Sequence, residues 1–280
     1  MGIAAAVCGV ALAAVLLPVI RNSLEAKVLE KEYTTLWRGK ELAGTLYLPD
    51  DGREQREVVI LSHGLNATAA YNMPYIEALT SAGVAVYAFD FYGGSHWGKS
   101  GGDTTEMTVS GEAEQLSRVI DMVKTWSWVD QERVILLGES QGGLVSALAA
   151  AERDDIDTLI LIYPAFSLPK MLRERYETLE QVPDTFSFSG MRLGKGYCED
   201  LWELDPYAAA GAFPGPVLLI HGDSDEVIPL ESSEKALEAF PDARLEVLEG
   251  AGHGFEGEQM REAAGKICEF IRERRLSGVR

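Results

Sequence analysis

Cysteine, histidine and positive charge are all scarce in this chain, and each shortage excludes a class of protein. The three cysteines, Cys8, Cys198 and Cys268, are widely spaced and form no Cys-x-x-Cys pair. They predict neither a disulfide framework nor a cysteine zinc site. The four histidines include no His-Glu-x-x-His pair, so the sequence predicts no metal and no cofactor.

The shortage of basic residues bears on partners. Lysine and arginine number 25 against 44 aspartates and glutamates, which gives a formal net charge of -19 at pH 7. A surface that binds nucleic acid needs an excess of basic side chains, so nucleic acid is not an expected partner. The same charge disfavours broad adhesion to an anionic membrane surface. Composition does not predict the oligomeric state.

A long hydrophobic run lies at the amino terminus. Residues 2–20 carry no charged or strongly polar side chain and could cross a bilayer as a helix. No Lys or Arg precedes the run, so the basic region of a secretory signal is missing. Basic residues follow it, namely Arg21, Lys27, Lys31, Arg38 and Lys40. The positive-inside tendency therefore predicts a membrane anchor in residues 1–21 with the rest on the cytoplasmic side. A cleaved export signal, or a helix packed on the domain, is the alternative.

Strands and helices alternate through residues 22–280. Two extended segments, 26–35 and 41–48, predict an antiparallel hairpin at a sheet edge. Apolar strand-type runs follow, separated by helix-type segments; they lie at residues 58–62, 84–89, 133–137, 158–163, 217–221 and 245–248. This order predicts an α/β fold with a mostly parallel central sheet and helices on both faces.

One stretch, about residues 166–207, interrupts the alternation. It is too long for a simple loop and mixes charged residues with large apolar ones. We predict a small folded cap insertion over the carboxyl ends of the strands, where ligands bind in open α/β sheets.

The most informative segment is the junction near residue 140. An apolar run, residues 134–137, ends in the sequence Gly138-Glu139-Ser140-Gln141-Gly142, and an alanine-rich helical segment begins at once. A strand, a sharp turn carrying serine and a helix form the arrangement of a nucleophile elbow. The serine backbone is strained there, so its neighbours have to be small. We interpret Ser140 as a nucleophile; the alternative is an incidental strand-to-helix turn.

A serine hydroxyl needs a base, and His253 is the candidate. It lies in a glycine-rich loop between the last strand and the final helix, from which an imidazole can reach Ser140. The alternative is a surface-loop histidine. The base in turn needs a carboxylate, and the loop after the penultimate strand offers two. Asp225 is favoured because it lies further into the loop, whereas Asp223 directly follows Gly222 and can be explained as a turn-former.

Acyl transfer also needs two donors for an oxyanion. We expect one to be the backbone N–H of Gln141 and the other that of Leu65, in the loop after the strand ending at Ser62. His63, in the same loop, is interpreted as a structural histidine rather than a second base. The glycine-rich loop 93–98 lacks the Lys-Ser/Thr pair of a phosphate-binding loop and is interpreted as a plain loop.

These motifs resemble those of the α/β-hydrolase superfamily over about residues 24–274. The matching segments are residues 62–65, 89–91, 138–143, 221–225 and 250–253. The chain looks most similar to the bacterial branch with short caps that includes cinnamoyl and feruloyl esterases. The resemblance implies Ser140 as nucleophile, Asp225 as acid and His253 as base, with Leu65 and Gln141 as oxyanion donors. Residues 92–96 depart from the Gly-His-Gly-x-Ser that these relatives often carry.

We therefore expect a serine hydrolase that cleaves carboxylic esters of small molecules through an acyl-enzyme. The apolar residues of the predicted cap favour an aliphatic or aromatic acyl group. A thioesterase, amidase or peptidase would use the same machinery. A non-catalytic binding or receptor protein on the same scaffold is the rival from another class.

Overall fold

The computed structural model describes residues 27–277, and the predicted anchor in residues 1–21 lies outside them. Within the described part, no helix combines the length and the apolar character needed to cross a membrane. The anchor therefore stays a prediction.

An eight-stranded sheet forms the centre of the molecule. The strands of the described residues are β1 (Val28–Trp37), β2 (Lys40–Pro49), β3 (Arg56–Ser62), β4 (Ala85–Phe89), β5 (Val129–Glu139), β6 (Thr158–Ile162), β7 (Thr185–Phe188), β8 (Met191–Gly194), β9 (Val217–Gly222) and β10 (Ala243–Leu248). The sheet has the spatial order β1-β2-β4-β3-β5-β6-β9-β10, and β7 and β8 pair separately. From β4 to β10 every neighbouring pair in the sheet is parallel, which confirms the predicted α/β architecture.

Helices cover both faces of this sheet. They are α1 (Met73–Ser81), α2 (Val109–Val123), α3 (Gln141–Ala151), α4 (Leu168–Arg175), α5 (Lys195–Leu201), α6 (Pro206–Ala210), α7 (Glu231–Ala239) and α8 (Gly257–Ser277). Helices α1 and α8 bury their apolar residues against one face. Helices α2, α3, α6 and α7 bury theirs against the other. The central strands are buried on both sides and are therefore almost continuously apolar.

The predicted hairpin is present at the sheet edge, where β1 pairs antiparallel with β2. Its two turn residues, Arg38 and Gly39, both have positive φ, of 47° and 74°. Such a two-residue turn has the twist that a right-handed hairpin requires.

The insertion (residues 166–207) contains α4, α5, the β7–β8 hairpin and the start of α6. Most of its large apolar side chains belong to the main hydrophobic core; they include Phe166, Leu172, Phe186, Met191 and Tyr197. Their apolar character is therefore explained by packing of the insertion on the domain. It carries little information about the acyl group of a substrate.

Candidate active site

Ser140 lies at the junction of β5 and α3 in a strained backbone conformation. Its φ is 51° and its ψ is -119°, a region that a non-glycine residue occupies only when the surroundings impose it. The contacts that hold this conformation come from β6 and the loop that follows it. The Ser140 N–H donates to the carbonyl of Ile162 at 2.9 Å, and the Ser140 carbonyl accepts from the Ala165 N–H at 2.9 Å. The turn is thereby fixed, with the serine partly exposed.

The glycines of the motif allow close backbone approach. A Cβ at Gly142 would overlap the carbonyl oxygens of Ser62 and His63, and a Cβ at Gly138 would overlap the Gly142 carbonyl. The loop after β3 can therefore lie directly against the turn. A Cβ built on Gly64 in that loop would lie 3.2 Å from the Cβ of Ser140.

His253, in the loop between β10 and α8, contacts Ser140 and Asp225 at once. Its Nδ1 lies 2.8 Å from Oδ2 of Asp225, and its Nε2 lies 3.0 Å from Oγ of Ser140. Since an ionised carboxylate only accepts, Nδ1–H is the donor and Nε2 is left to accept from the serine hydroxyl. The side chain of His253 is 20% exposed, so solvent or a substrate can reach the ring.

Asp225 is held as a carboxylate although its side chain is fully buried. Burial alone would raise its pKa, but hydrogen bonds from His221, His253 and the backbone outweigh burial and hold the pKa well below its ordinary value. The backbone N–H groups of Val227 and Ile228 donate to Oδ1 at 2.9 and 2.8 Å. Sequence reasoning did not assign a role to His221, but its Nε2 lies 3.4 Å from Oδ2 of Asp225.

Asp223, the alternative acid, lies elsewhere. Its Oδ1 accepts from the Gly250 N–H at 2.7 Å and from the Ser224 hydroxyl at 3.1 Å. The residue is exposed. It fastens the loop that carries His253 to the loop that carries Asp225, but its hydrogen bonds do not involve the imidazole.

The two expected oxyanion donors are neighbours of residues already placed at the site: Gln141 follows Ser140, and Leu65 follows Gly64. The carbonyl of Gly64 accepts from Nδ1–H of His63 at 2.8 Å and from the Ala67 N–H at 3.1 Å. Because the peptide is trans, the N–H of Leu65 points the opposite way. The N–H of Gln141 is at the first position of α3, where helix N–H groups lack intrahelical acceptors.

His63 has the structural role that the sequence suggested. It is buried, and its Nε2 accepts from the Phe91 N–H at 3.0 Å. Burial lowers its pKa, so the ring is neutral. The nearby Asp90 side chain ties two loops together, since it accepts from the N–H groups of Ala69 and Lys99 at 2.8 and 2.7 Å.

The loop 93–98 lies against the proposed oxyanion loop. The N–H of Asn66 donates to the carbonyl of Gly94 at 2.9 Å. Two side chains of this loop, His96 and Trp97, are exposed, the latter by 80%.

Two buried carboxyl groups, one next to Ser140 in the chain and one in contact with Gln141, were not found by sequence reasoning. Glu139, directly before Ser140, accepts from the hydroxyl of Tyr163 at 2.7 Å. Glu112 of α2 accepts from Nε2 of Gln141 at 2.8 Å. Burial raises the pKa of Glu139 to about 7 and that of Glu112 to about 8. A charged residue at the end of an apolar strand is the one sequence signal that could have found Glu139. Glu112 lies in an ordinary helical segment, and no sequence signal distinguishes it.

No group of three or more potential metal ligands occurs within residues 27–277.

Comparison with known proteins assigns the chain to a family. Residues 53–209 match the family model described as serine aminopeptidase, S33, and residues 187–255 match that of the alpha/beta hydrolase fold. The uncharacterized protein YfhR of Escherichia coli (strain K12) is 28% identical over 179 residues, which cover 63% of this chain and 55% of that protein. The chain thus spans about half the length of this curated relative.

Solved structures show the same fold. The structure of ferulic acid bound to Est1E from Butyrivibrio proteoclasticus has a TM-score of 0.79 and 28% identity, over 86% of this chain and 98% of that one. A monoacylglycerol lipase from Paleococcus ferrophilus has a TM-score of 0.65 at 22% identity, over 88% and 98%. The chain is a member of the α/β-hydrolase superfamily and belongs to the family described as serine aminopeptidase, S33.

Proposed function

We propose that this protein is a serine hydrolase that cleaves carboxylic esters with an apolar or aromatic acyl group. The observation that carries the proposal is the hydrogen-bonded series from Oγ of Ser140 through both ring nitrogens of His253 to the buried carboxylate of Asp225. Serine, base and oriented carboxylate in hydrogen-bond contact form the arrangement that activates a hydroxyl.

The reaction follows from the protonation states of this series. As Oγ of Ser140 attacks the ester carbonyl, its proton passes to Nε2 of His253, and Asp225 stabilises the imidazolium through Nδ1–H. The N–H groups of Leu65 and Gln141 donate to the oxyanion. His253 returns the proton to the leaving alcohol, which leaves an acyl group on Ser140. Water, deprotonated by the same nitrogen, then releases the acid and restores the serine.

The acyl group is proposed from similarity. Est1E, at 28% identity and nearly full coverage, is described with ferulic acid bound, and ferulic acid is an aromatic acid. A small aromatic acyl group is therefore the first substrate to test. The residues of the insertion give weaker support, because most of its large side chains are occupied in the core.

Peptide bond hydrolysis is the second candidate reaction, because the name of the matching family refers to peptide substrates. An amide differs from an ester mainly in its poorer leaving group, so the same series of residues serves both reactions. Esters, thioesters and aminoacyl amides with one common acyl group should therefore be compared directly. We expect kcat/KM to be highest for the ester.

The first experiment uses a fluorophosphonate probe, which reacts only with an activated serine. We expect labelling of the wild type at neutral pH, none in Ser140→Ala, and loss of ester turnover in that variant by a factor on the order of 10⁴ or more. An unlabelled wild type with no turnover of any ester would favour the non-catalytic binding protein. Labelling with turnover confined to aminoacyl amides would favour the aminopeptidase.

A further inference from the structure

The side chain of Gln141 is held at both ends inside the protein. The residue is 1% exposed. Its Nε2 donates to Oε2 of Glu112 at 2.8 Å, and its Oε1 accepts from the hydroxyl of Tyr197 at 2.7 Å. A second contact of Nε2, to Sδ of Met107, is 3.5 Å long. The amide is therefore fixed in orientation by two buried partners.

The first partner, Glu112, lies in the first turn of α2 and is 1% exposed. Burial raises its pKa to about 8, with the hydrogen bond from Gln141 acting in the opposite sense and the charge of Asp200 adding to the rise. At pH 7 the group is mostly a neutral acid, so it accepts from Gln141 without burying a full charge.

The second partner, Tyr197, belongs to the insertion. It lies on α5 and is fully buried. This half of the insertion is fastened to the domain by further hydrogen bonds. The hydroxyl of Thr104 donates to the carbonyl of Arg192 at 2.5 Å, and the N–H of Ser110 donates to Oδ2 of Asp200 at 2.8 Å. Tyr197 is thus a fixed point against which Gln141 is held.

We propose that Tyr197 and Glu112 are positioning residues, which hold Gln141 so that its backbone N–H is set toward the oxyanion. The insertion then acts on the chemical step as well as on substrate binding. This inference rests on the proposed function, since it assigns a purpose to one of the two proposed oxyanion donors.

The physical reason is preorganisation. An oxyanion donor stabilises the transition state only if it points at the developing charge before the reaction begins. The side chain and the N–H of Gln141 share one Cα at the first position of α3, so two buried hydrogen bonds that hold the side chain also restrain the backbone that carries the N–H. When a partner is lost, the Cα of Gln141 is free to shift, and the N–H shifts with it. Loss of Tyr197 leaves Oε1 of Gln141 unpaired, and loss of Glu112 leaves Nε2 with only the 3.5 Å contact to Sδ of Met107.

The main test is Tyr197→Phe, which removes only the hydroxyl. We expect kcat for a soluble aromatic ester to fall on the order of tenfold, below the 10²–10³ that removal of a donor costs, with KM changed less than twofold. Phenylboronic acid forms a tetrahedral adduct with a reactive serine and mimics the oxyanion state. Its inhibition constant should rise by the same factor as kcat falls.

Tyr176→Phe is the matched control. Tyr176 lies in the same insertion, its ring packs on Phe186 with centroids 5.8 Å apart, and its hydroxyl has no hydrogen-bond partner within the described chain. We expect wild-type kinetics. A Tyr197→Phe enzyme with raised KM and unchanged kcat, or with unchanged boronate affinity, would overturn the inference while leaving the hydrolase itself intact. Absence of fluorophosphonate labelling in the wild type would overturn both.

A second pair of variants keeps the test open if Tyr197→Phe does not fold. Glu112→Gln retains an acceptor for Nε2 of Gln141 and should keep kcat within about threefold of wild type, whereas Glu112→Leu removes the acceptor and should lose about tenfold. Equal kcat values in the two variants would contradict a positioning role for Glu112.

Discussion

The ring of Tyr163 packs on the ring of His253, with centroids 4.7 Å apart and planes inclined at 53°. Tyr163 directly follows β6 and has a positive φ of 36°. Its hydroxyl donates to Oε1 of Glu139 at 2.7 Å. One side chain therefore supports the proposed base with its ring and pairs a buried acid next to the proposed nucleophile with its hydroxyl.

These two contacts of Tyr163 can be separated by Tyr163→Phe. The ring remains to support His253, so we expect kcat/KM within about threefold of wild type. The lost hydroxyl leaves Glu139 without this donor, so the free energy of unfolding should fall by about 1–3 kcal/mol in urea titrations. A large loss of kcat/KM at unchanged stability would mean that the hydroxyl, rather than the ring, serves the site.

The raised pKa of Glu139 leads us to expect that the free energy of unfolding depends on pH. Burial raises its pKa from the ordinary 4.5 to about 7 in the folded protein. Between these values the folded state holds a proton that the unfolded state has lost, so the contribution of Glu139 to stability is complete below pH 4.5. It is lost as pH rises to about 7, with a slope approaching about 1.4 kcal/mol per pH unit.

The measurement is the unfolding free energy of Glu139→Gln minus that of wild type from pH 5 to 8. Gln keeps an oxygen that accepts from Tyr163 but does not titrate, so the difference should grow in favour of the variant as pH rises. Taking the difference cancels groups common to both proteins, such as buried His63, whose lowered pKa gives the opposite slope. A difference that is flat with pH would show that Glu139 is ionised throughout.

The two candidate acids predict different losses. In Asp225→Asn the amide no longer fixes the tautomer of His253 or balances the imidazolium, so kcat should fall on the order of 10⁴-fold. Asp223→Asn changes an exposed residue that accepts from the Gly250 N–H, and Asn can also accept there. We expect a loss of less than about fivefold. Reversal of this order in steady-state assays would move the acid to Asp223.

The elements of the fold could be predicted because each carries a local signal. Buried parallel strands are apolar runs, and the serine turn requires glycines on both sides of Ser140. The choice of Asp225 over Asp223 could also be argued, from position along the loop. The contacts of Glu112 and Tyr197 with Gln141 could not, because α2, α3 and α5 meet only in the folded chain. The sequence also does not distinguish large apolar residues that line a pocket from those that fill the core. In residues 166–207 most of them fill the core.

The close approach at Gly142 predicts a severe effect of one methyl group. In Gly142→Ala the Cβ would overlap the carbonyls of Ser62 and His63, so the elbow and the loop after β3 have to separate. We expect destabilisation by several kcal/mol and loss of fluorophosphonate labelling. Gly265→Ala is the control: Gly265 is exposed in α8 with no atom within 4 Å of a built Cβ, and stability should rise by about 0.5–1 kcal/mol. Wild-type stability of Gly142→Ala would contradict the close packing of Gly142 on the carbonyls of Ser62 and His63.

The position of β1 bears on the predicted anchor. Val28 pairs with Pro49 at the end of β2, and β2 runs antiparallel to β4. The start of β1 therefore lies at the amino-terminal ends of the parallel strands, whereas Ser140 lies at the carboxyl end of β5. Deletion of residues 1–21 should therefore leave kcat/KM for a soluble ester within about twofold while the protein moves from the membrane to the soluble fraction. If the truncated protein stays with the membrane, residues 1–21 are not the anchor. If mass spectrometry shows that the protein expressed from the full sequence has lost these residues, the segment is a cleaved export signal.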